Sequence, residues 1–426
     1  MIFREYKGSL RGSIEVPGDK SISHRSIMMG AVAQGNTIVK GFLLGEDCLS
    51  TIKCFKDMGV NINVLDQIVE IQGVGLKGLK KPNKILNAGN SGTTIRLISG
   101  ILAGQNFETR ISGDNSLKKR PMDRIAEPLS QMGAKIECTN KKYPPITIFP
   151  VNKIQGINYK QKKASAQVKS SILFAGLYSE DEVRINQPEL SRDHTEKMFK
   201  YYGVDIETRG KEIVLNKGTK EFNGKEIYVP GDISSAAFYI VAGVLFENSH
   251  ITIKNVGLNK TRTGIIDVML KMGADLRILN QKTVNGEEIG DILIKHSNLK
   301  GVEIGGEIIP RIIDEIPIIA LAAVFAEGDT IIKDAEELKV KESNRIKTVY
   351  EELSKMGAEI KEKEDGMIIK GTRKLKGTKV LSSGDHRIAM MLAVAGEKAE
   401  GITEVDDFKC ADVSNPDFIQ LFNTLK

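Results

Sequence analysis

The sequence predicts an α/β protein of two similar domains, each built from three copies of one repeat unit. Three observations predict it. A helix end followed by Gly and an alternating strand recurs five times. A second phrase, an apolar helix, a turn and a β-prone strand, precedes each copy and occurs six times. The stretch VPGD stands twice, at residues 16–19 and 229–232, and divides the repeats three and three.

The first phrase reads FKDMGVNI at 55–62, LSQMGAKI at 129–136, FKYYGVDI at 199–206, MLKMGADL at 269–276 and LSKMGAEI at 353–360. Gly59, Gly133, Gly203, Gly273 and Gly357 follow one another at intervals of 70 to 84 residues. Gly adopts the left-handed cap that ends a helix, and the residues after it alternate as a strand does. A sixth unit would end in the apolar segment 421–425. The second phrase carries Thr-Ile-Val at 37–39, Thr-Arg-Ile at 109–111, Val-Arg-Ile at 183–185, Ile-Thr-Ile at 251–253, Thr-Ile-Ile at 330–332 and Ile-Thr-Glu-Val at 402–405. All six are strand-forming. A period near 70 residues is long for a solenoid and suits compact domains with sheets around a helical core. The twin VPGD stretches then set one domain at 19–229 and the other at 1–18 plus 230–426. Two adjacent linkers make a hinge, and with it a cleft that closes on ligand.

Composition bounds the function. At 426 residues the chain exceeds one ordinary core. It is 41% hydrophobic and 27% charged, with a net charge of +6, as expected of a globular protein. Its first residues, MIFRE, carry charges where a signal peptide needs an apolar run, and its longest apolar stretch, 316–326, is too short to span a bilayer. With no Trp and no basic run interleaved with aromatics, nucleic-acid binding has no support. Cys48, Cys54, Cys138 and Cys410 show no metal-ligand spacing and read as reduced thiols. A cytoplasmic protein without metal or membrane is the expectation.

The polar loops hold the candidate chemistry. Lys20, Ser21, Ser23, His24 and Arg25 follow a Pro-Gly-Asp turn that can cap a helix, where free backbone N–H groups favour an anion. Residues 89–96, GNSGTTIR, form a glycine-punctuated turn, with Asn90 and Gly92 beside Arg96. Lys118, Lys119 and Arg120 precede Pro121, a residue able to start a helix. Ser165 is a natural N-cap before Ala166 and Gln167. Ser191 opens SRDHTE, whose Ser, His and Asp lie too close in sequence to form a hydrolase triad. Asp314 precedes an apolar helix and can serve as a general base. Lys341 and Arg345 stand one helical turn apart, with Glu342 between, and Arg387 lies just inside another helix. Singly, each reads equally well as a cap, an ion pair or a solvated charge. Together they offer Lys20, Arg25, Arg96, Arg120, Lys341, Arg345 and Arg387 against few acids, which calls for ligands rich in phosphate and carboxylate. Lys20, Asp314 and Glu342 are the acid–base candidates.

These residues resemble a known family along nearly the whole chain. GDKSISHR (18–25), GNSGTTIR (89–96), RPM (120–122), SAQVK (165–169), RDHTE (192–196), NKTR (259–262), VKESNR (340–345) and DHRIAM (385–390) stand in the order of the 5-enolpyruvylshikimate-3-phosphate synthase family. GDKS, SAQVK, RDHTE and NKTR are similar to its class II branch, associated with glyphosate tolerance. The resemblance implies two domains of three βαβαββ units each, inverse α/β barrel-like, joined by a double hinge. It implies transfer of the enolpyruvyl group of phosphoenolpyruvate to the 5-hydroxyl of shikimate 3-phosphate through a tetrahedral intermediate, with phosphate released and no cofactor. It is the shikimate-pathway step toward chorismate and the aromatic amino acids, run by a monomer. Carried over, Lys20 touches both substrates. Ser21, Arg25, Ser165, Ala166 and Ser191 hold shikimate 3-phosphate, with Gln167 between the two. Gly92, Arg120, Arg345 and Arg387 hold phosphoenolpyruvate, and Asn90 is a further substrate-binding residue. Asp314, helped by Lys341, accepts the hydroxyl proton, and Glu342 with Lys20 handles the methylene carbon.

Three positions depart from the class I pattern. A class I Asn that binds shikimate 3-phosphate is replaced near Glu337, Val413 replaces a Lys with Lys409 nearby, and His194 replaces a Tyr. Gly92 is the small residue often replaced by Ala in tolerant members. Two alternatives remain: the sister UDP-N-acetylglucosamine enolpyruvyl transferase, whose reactive Cys has no counterpart in residues 113–117, and a non-enzymatic polyanion-binding repeat protein.

Overall fold

A computed structural model gives the fold and describes residues 1–218 and 221–426. The chain forms two compact units. One comprises Met1–Pro17, Pro230–Thr283 and Glu288–Lys426, the other Gly18–Val229 and Val284–Glu287. The breaks at Pro17–Gly18 and Val229–Pro230 fall within the VPGD twins. The first is one residue earlier than the 18/19 boundary read from the sequence. The sequence reading had no counterpart for Val284–Glu287, the turn between strands Asp275–Val284 and Glu287–Lys295. Asn285 and Gly286 both have positive φ there, as a tight hairpin turn requires.

The βαβαββ unit is plainest at residues 86–149. Strand Leu86–Asn87, helix Gly92–Ala103, strand Thr109–Ser112, helix Asp123–Gln131 and strands Lys135–Thr139 and Tyr143–Phe149 follow in order. In its sheet the first strand is parallel to the second, and the two later strands add antiparallel. The same order recurs with Ile157–Lys160, Val183–Asn186, Glu212–Leu215 and Ile206–Arg209. It recurs again with Glu303–Ile304, Asp329–Ile332, Gly366–Lys370 and Glu359–Lys363.

Two units are closed by exchange at the VPGD turns. Strand Glu226–Tyr228 pairs with Gln34–Lys40, and strand Arg11–Glu15 pairs with His250–Gly257, each in the parallel position. In the last unit the third strand is the chain's own start: Ile2–Arg4 lies antiparallel to Ile402–Asp406. Its second helix is Phe418–Thr424, the apolar segment expected to end the sixth unit.

Each repeat has one helix buried nearly all round and one buried on a single face. Ile233–Leu245 and Ile316–Val324 bury every residue, and Lys20–Val32, Gly92–Ala103, Ala166–Gly176 and His386–Lys398 nearly all. A helix apolar on all sides must sit inside, so the sheets surround these helices. Gly92–Ala103 packs on Ala166–Gly176 and on Lys20–Val32. The half-buried helices end at the five repeat glycines, whose φ lies between +87° and +96°. The next amide after each glycine reaches back five residues, as Val60 N–H does to the Phe55 carbonyl at 3.1 Å, which closes the last turn.

Candidate active site

All the buried helices except Ile316–Val324 begin at side-chain caps, and the candidate residues cluster at the helix starts. In the Gly18–Val229 unit, Asp19, Ser91 and Ser165 accept the amides of Ile22, Thr94 and Val168 at 2.9, 3.1 and 3.4 Å. In the other unit Asp232 and Asp385 accept those of Ser234 and Arg387 at 2.8 and 2.9 Å. The Asp of each VPGD twin therefore caps a helix, Asp19 through the amide three residues on and Asp232 through the amide two residues on. Each helix start also carries the positive end of the helix dipole.

In the Gly18–Val229 unit the structure gathers two sets. Arg25, buried, donates through Nε to Thr195 Oγ1 at 2.6 Å and through its terminal nitrogens to Ser170 Oγ at 2.8 Å and the Ser21 carbonyl at 2.9 Å. Ser191 donates its hydroxyl to Gln187 Oε1 at 2.7 Å. The second set links Arg96 to Gln167 Oε1 at 2.5 Å, Gln167 Nε2 to Thr93 Oγ1 at 3.0 Å, and Arg120 to Asn90 Oδ1 at 2.5 Å. Gly92 lies among them. A Cβ there would stand 3.1 Å from a terminal nitrogen of Arg96 and 3.5 Å from one of Arg120. Lys118 and Lys119 are exposed. Pro121 does not start the following helix, which begins at Asp123, because Met122 takes the capping position.

His24 ties these helix starts together. Its Nδ1 shares a 2.7 Å hydrogen bond with Thr51 Oγ1, Thr51 shares one of 2.7 Å with Thr94, and Thr94 donates to Ser91 Oγ at 2.8 Å. Burial, with Lys20 and Arg25 on its own helix, holds the imidazole well below its usual 6.5. The folded state thus takes up its proton only far below pH 6.5, while the unfolded chain takes it up at 6.5. The stability from neutral His24 is present above pH 6.5 and is lost as pH falls. His24→Gln is expected to flatten the decline of the melting temperature between pH 7 and 5. An unchanged slope would remove His24 as its cause.

In the other unit one side chain organises the site. Arg345 is buried and donates through Nε to Asp385 Oδ2 at 2.9 Å. Its terminal nitrogens reach Asp314 Oδ1 at 3.1 Å and Glu342 Oε2 at 2.7 Å. Burial alone would lower its pKa, but Asp385, Glu342 and Asp314 outweigh burial and raise it, so it stays charged. Lys341 Nζ stands 3.5 Å from the same Asp314 oxygen. Asp314 and Glu342 keep 17% and 23% of their side chains exposed, open to a ligand. Arg387 differs. It is buried, donates to the Ser234 carbonyl at 2.8 Å and stands 5.9 Å from the Phe238 ring centroid. Its Nε has no hydrogen-bond partner among the described residues.

Two sequence readings are corrected. Lys341 and Arg345 do not share a helical turn. The helix starts at Arg345 with Asn344 as its cap, and Lys341 follows the 3₁₀ turn Glu336–Val340. They meet instead on Asp314. Nor do the cations face few acids. Asp47, which no motif marked, pairs with Lys20 at 2.8 Å, and Asp385 anchors Arg345. Sequence reasoning also passed over Glu315, buried and hydrogen-bonded to Ser234, and Arg262, which pairs with Asp232 at 2.8 Å. NKTR was the only signal for Arg262.

Glu337 is half-buried in its 3₁₀ turn. Lys409 is exposed beside a cavity of about 420 Å³ lined also by Asp407, Phe408 and Asp412. His194 Nδ1 is 2.7 Å from Glu287 Oε1, and Lys197 is 3.1 Å from Oε2. Burial pushes the Glu287 carboxyl up, but His194 and Lys197 outweigh it and hold it down at about 2. Burial raises Cys54 to about 12 and Cys138 and Cys410 to about 11, so these three remain thiols at neutral pH. Among the described residues no group of His, Cys, Asp and Glu is placed to hold a metal, and no helix is long and apolar enough to cross a membrane.

The fold is that of an α/β protein whose helix starts carry cations and paired carboxylates. The family model described as EPSP synthase (3-phosphoshikimate 1-carboxyvinyltransferase) matches residues 5–422. A 3-phosphoshikimate 1-carboxyvinyltransferase of Thermoanaerobacter sp. strain X514 is 57% identical over 98% of both chains. One of Bacillus thuringiensis strain Al Hakam is 52% identical over 98% of this chain and 97% of its own. A solved EPSP synthase from Acinetobacter baumannii superposes with a TM-score of 0.90 at 44% identity, covering all of this chain and 97% of its own. The chain belongs to the EPSP synthase family.

Proposed function

We propose that this chain transfers the enolpyruvyl group of phosphoenolpyruvate to the 5-hydroxyl of shikimate 3-phosphate, releasing phosphate. The observation that carries the reading is the cluster of Arg345, Lys341, Asp314 and Glu342 beside Arg387, a buried arginine whose Nε has no hydrogen-bond partner among the described residues. Such a cluster suits a ligand that is both phosphate and carboxylate, in a reaction that moves protons.

In this reading the 5-hydroxyl oxygen attacks C2 of phosphoenolpyruvate while C3 gains a proton, giving a tetrahedral intermediate. The C2–O bond to phosphate then breaks and C3 loses a proton, which restores the double bond. Asp314 takes the hydroxyl proton, with Lys341 stabilising its charge. Glu342 with Lys20 serves C3. Arg25, Ser21, Ser165, Ala166 and Ser191 hold shikimate 3-phosphate. Arg120, Gly92, Arg345 and Arg387 hold phosphoenolpyruvate, with Gln167 between the substrates and Asn90 as a further substrate-binding residue. The enzyme works as a monomer in the cytoplasm, where such charged metabolites are retained.

The test is phosphate release from phosphoenolpyruvate with shikimate 3-phosphate, and in parallel with UDP-N-acetylglucosamine, as acceptor. Release with the first alone is expected, and Lys20→Ala abolishes it. Release only with the sugar nucleotide would overturn the acceptor assignment.

A further inference from the structure

One buried ion pair has no part in this chemistry. Lys169 is fully buried, and its Nζ lies 2.6 Å from Glu196 Oε1, itself nearly buried. The same ammonium stands 3.3 Å from the Ser191 carbonyl and 3.5 Å from Gln187 Oε1. That Gln187 oxygen accepts both the amide of Ser191, at 3.1 Å, and its hydroxyl. The neighbours on each side make the adjoining contact. Ser170 and Thr195 share a 2.6 Å hydrogen bond, and both receive the Arg25 guanidinium. The pair thus joins the start of helix Ala166–Gly176 to that of His194–Tyr202, where Arg25 and Ser191 are fixed.

A buried ion pair gives little net stability. Desolvation offsets the attraction, and an apolar pair of like volume is often as stable. What the pair supplies here is direction. The ammonium donates to a loop carbonyl and a side-chain amide while the Glu196 carboxylate stands against it as an ion pair, which fixes all three in one geometry.

We propose that Lys169 and Glu196 are positioning residues for the shikimate 3-phosphate subsite, setting Arg25 and Ser191 against the substrate's phosphate and ring. This rests on the function proposed above. The pair touches no reacting atom. Its loss lets Arg25 and the Ser191 loop drift, and a misplacement near 1 Å costs on the order of 100-fold.

The test is steady-state kinetics on Lys169→Met/Glu196→Leu, which replaces the pair with apolar side chains, and on Glu196→Gln, which keeps the shape and removes the charge. The double variant is expected to melt close to the parent. Its KM for shikimate 3-phosphate rises about 10- to 100-fold while the KM for phosphoenolpyruvate stays within about threefold. Glu196→Gln shows a smaller rise in the same constant, and it decides the matter if the double variant does not fold. Unchanged KM for shikimate 3-phosphate, or equal rises for both substrates, would overturn the inference. A parent enzyme with no turnover would sink the functional reading itself, and the inference with it.

Discussion

Arg387→Leu is expected to lower kcat/KM for phosphoenolpyruvate by about 100- to 1,000-fold and to leave the KM for shikimate 3-phosphate nearly unchanged. The reason lies in its surroundings. Arg345, Lys341 and Lys20 each have a carboxylate within 4 Å. Arg387 instead has a carbonyl and an aromatic face, with Nε left over. It also occupies the first turn of its helix, where the dipole disfavours a cation. A buried guanidinium so placed is costly to the empty protein and favourable once an anion arrives. Losing such a contact costs about 2–5 kcal/mol of binding. The same imbalance predicts that Arg387→Leu, without ligand, melts no lower than the parent. A variant that keeps its kcat/KM for phosphoenolpyruvate would remove Arg387 from the donor's site.

Asp314→Asn should reduce kcat about 100- to 10,000-fold, the range for loss of a general base. Asparagine keeps the shape and loses the basicity. The fold should tolerate it, because Arg345 retains Asp385 and Glu342 on its Nε and a terminal nitrogen. Lys341 and one Arg345 nitrogen lose an anionic partner, so KM for the anionic substrates should stay level or fall. Single-turnover phosphate release reads the chemical step directly. A kcat within tenfold of the parent would put the base elsewhere.

Much of this molecule was legible in its sequence because repeats announce themselves. The five glycines mark helix ends where a left-handed residue is required, and all five have positive φ. The all-apolar segments could only be interior helices. The VPGD twins mark two of the places where the chain passes between units. The motif residues lie at helix starts, where capping and the dipole make anion sites, and a capping residue can be read from a few neighbours.

The partners of those residues could not be read. Asp47 lies 27 positions from Lys20, and Glu196 lies 27 from Lys169, in segments whose charges look like any solvated face. Lys341 seemed to share a turn with Arg345, yet a 3₁₀ turn ends before it and Asp314 brings the two together from another helix start. Local pattern fixes the period of a helix, where it stops and which face it buries, since these depend on contacts within about one turn. Which carboxylate meets which cation depends on how three buried helices and their loops pack, a property of the whole unit. The sequence by itself determined the repeat, the fold class and the family. Only the tertiary structure decided that Arg345 gathers three acids, that Arg387 keeps a donor unused and that Lys169 is sealed against Glu196.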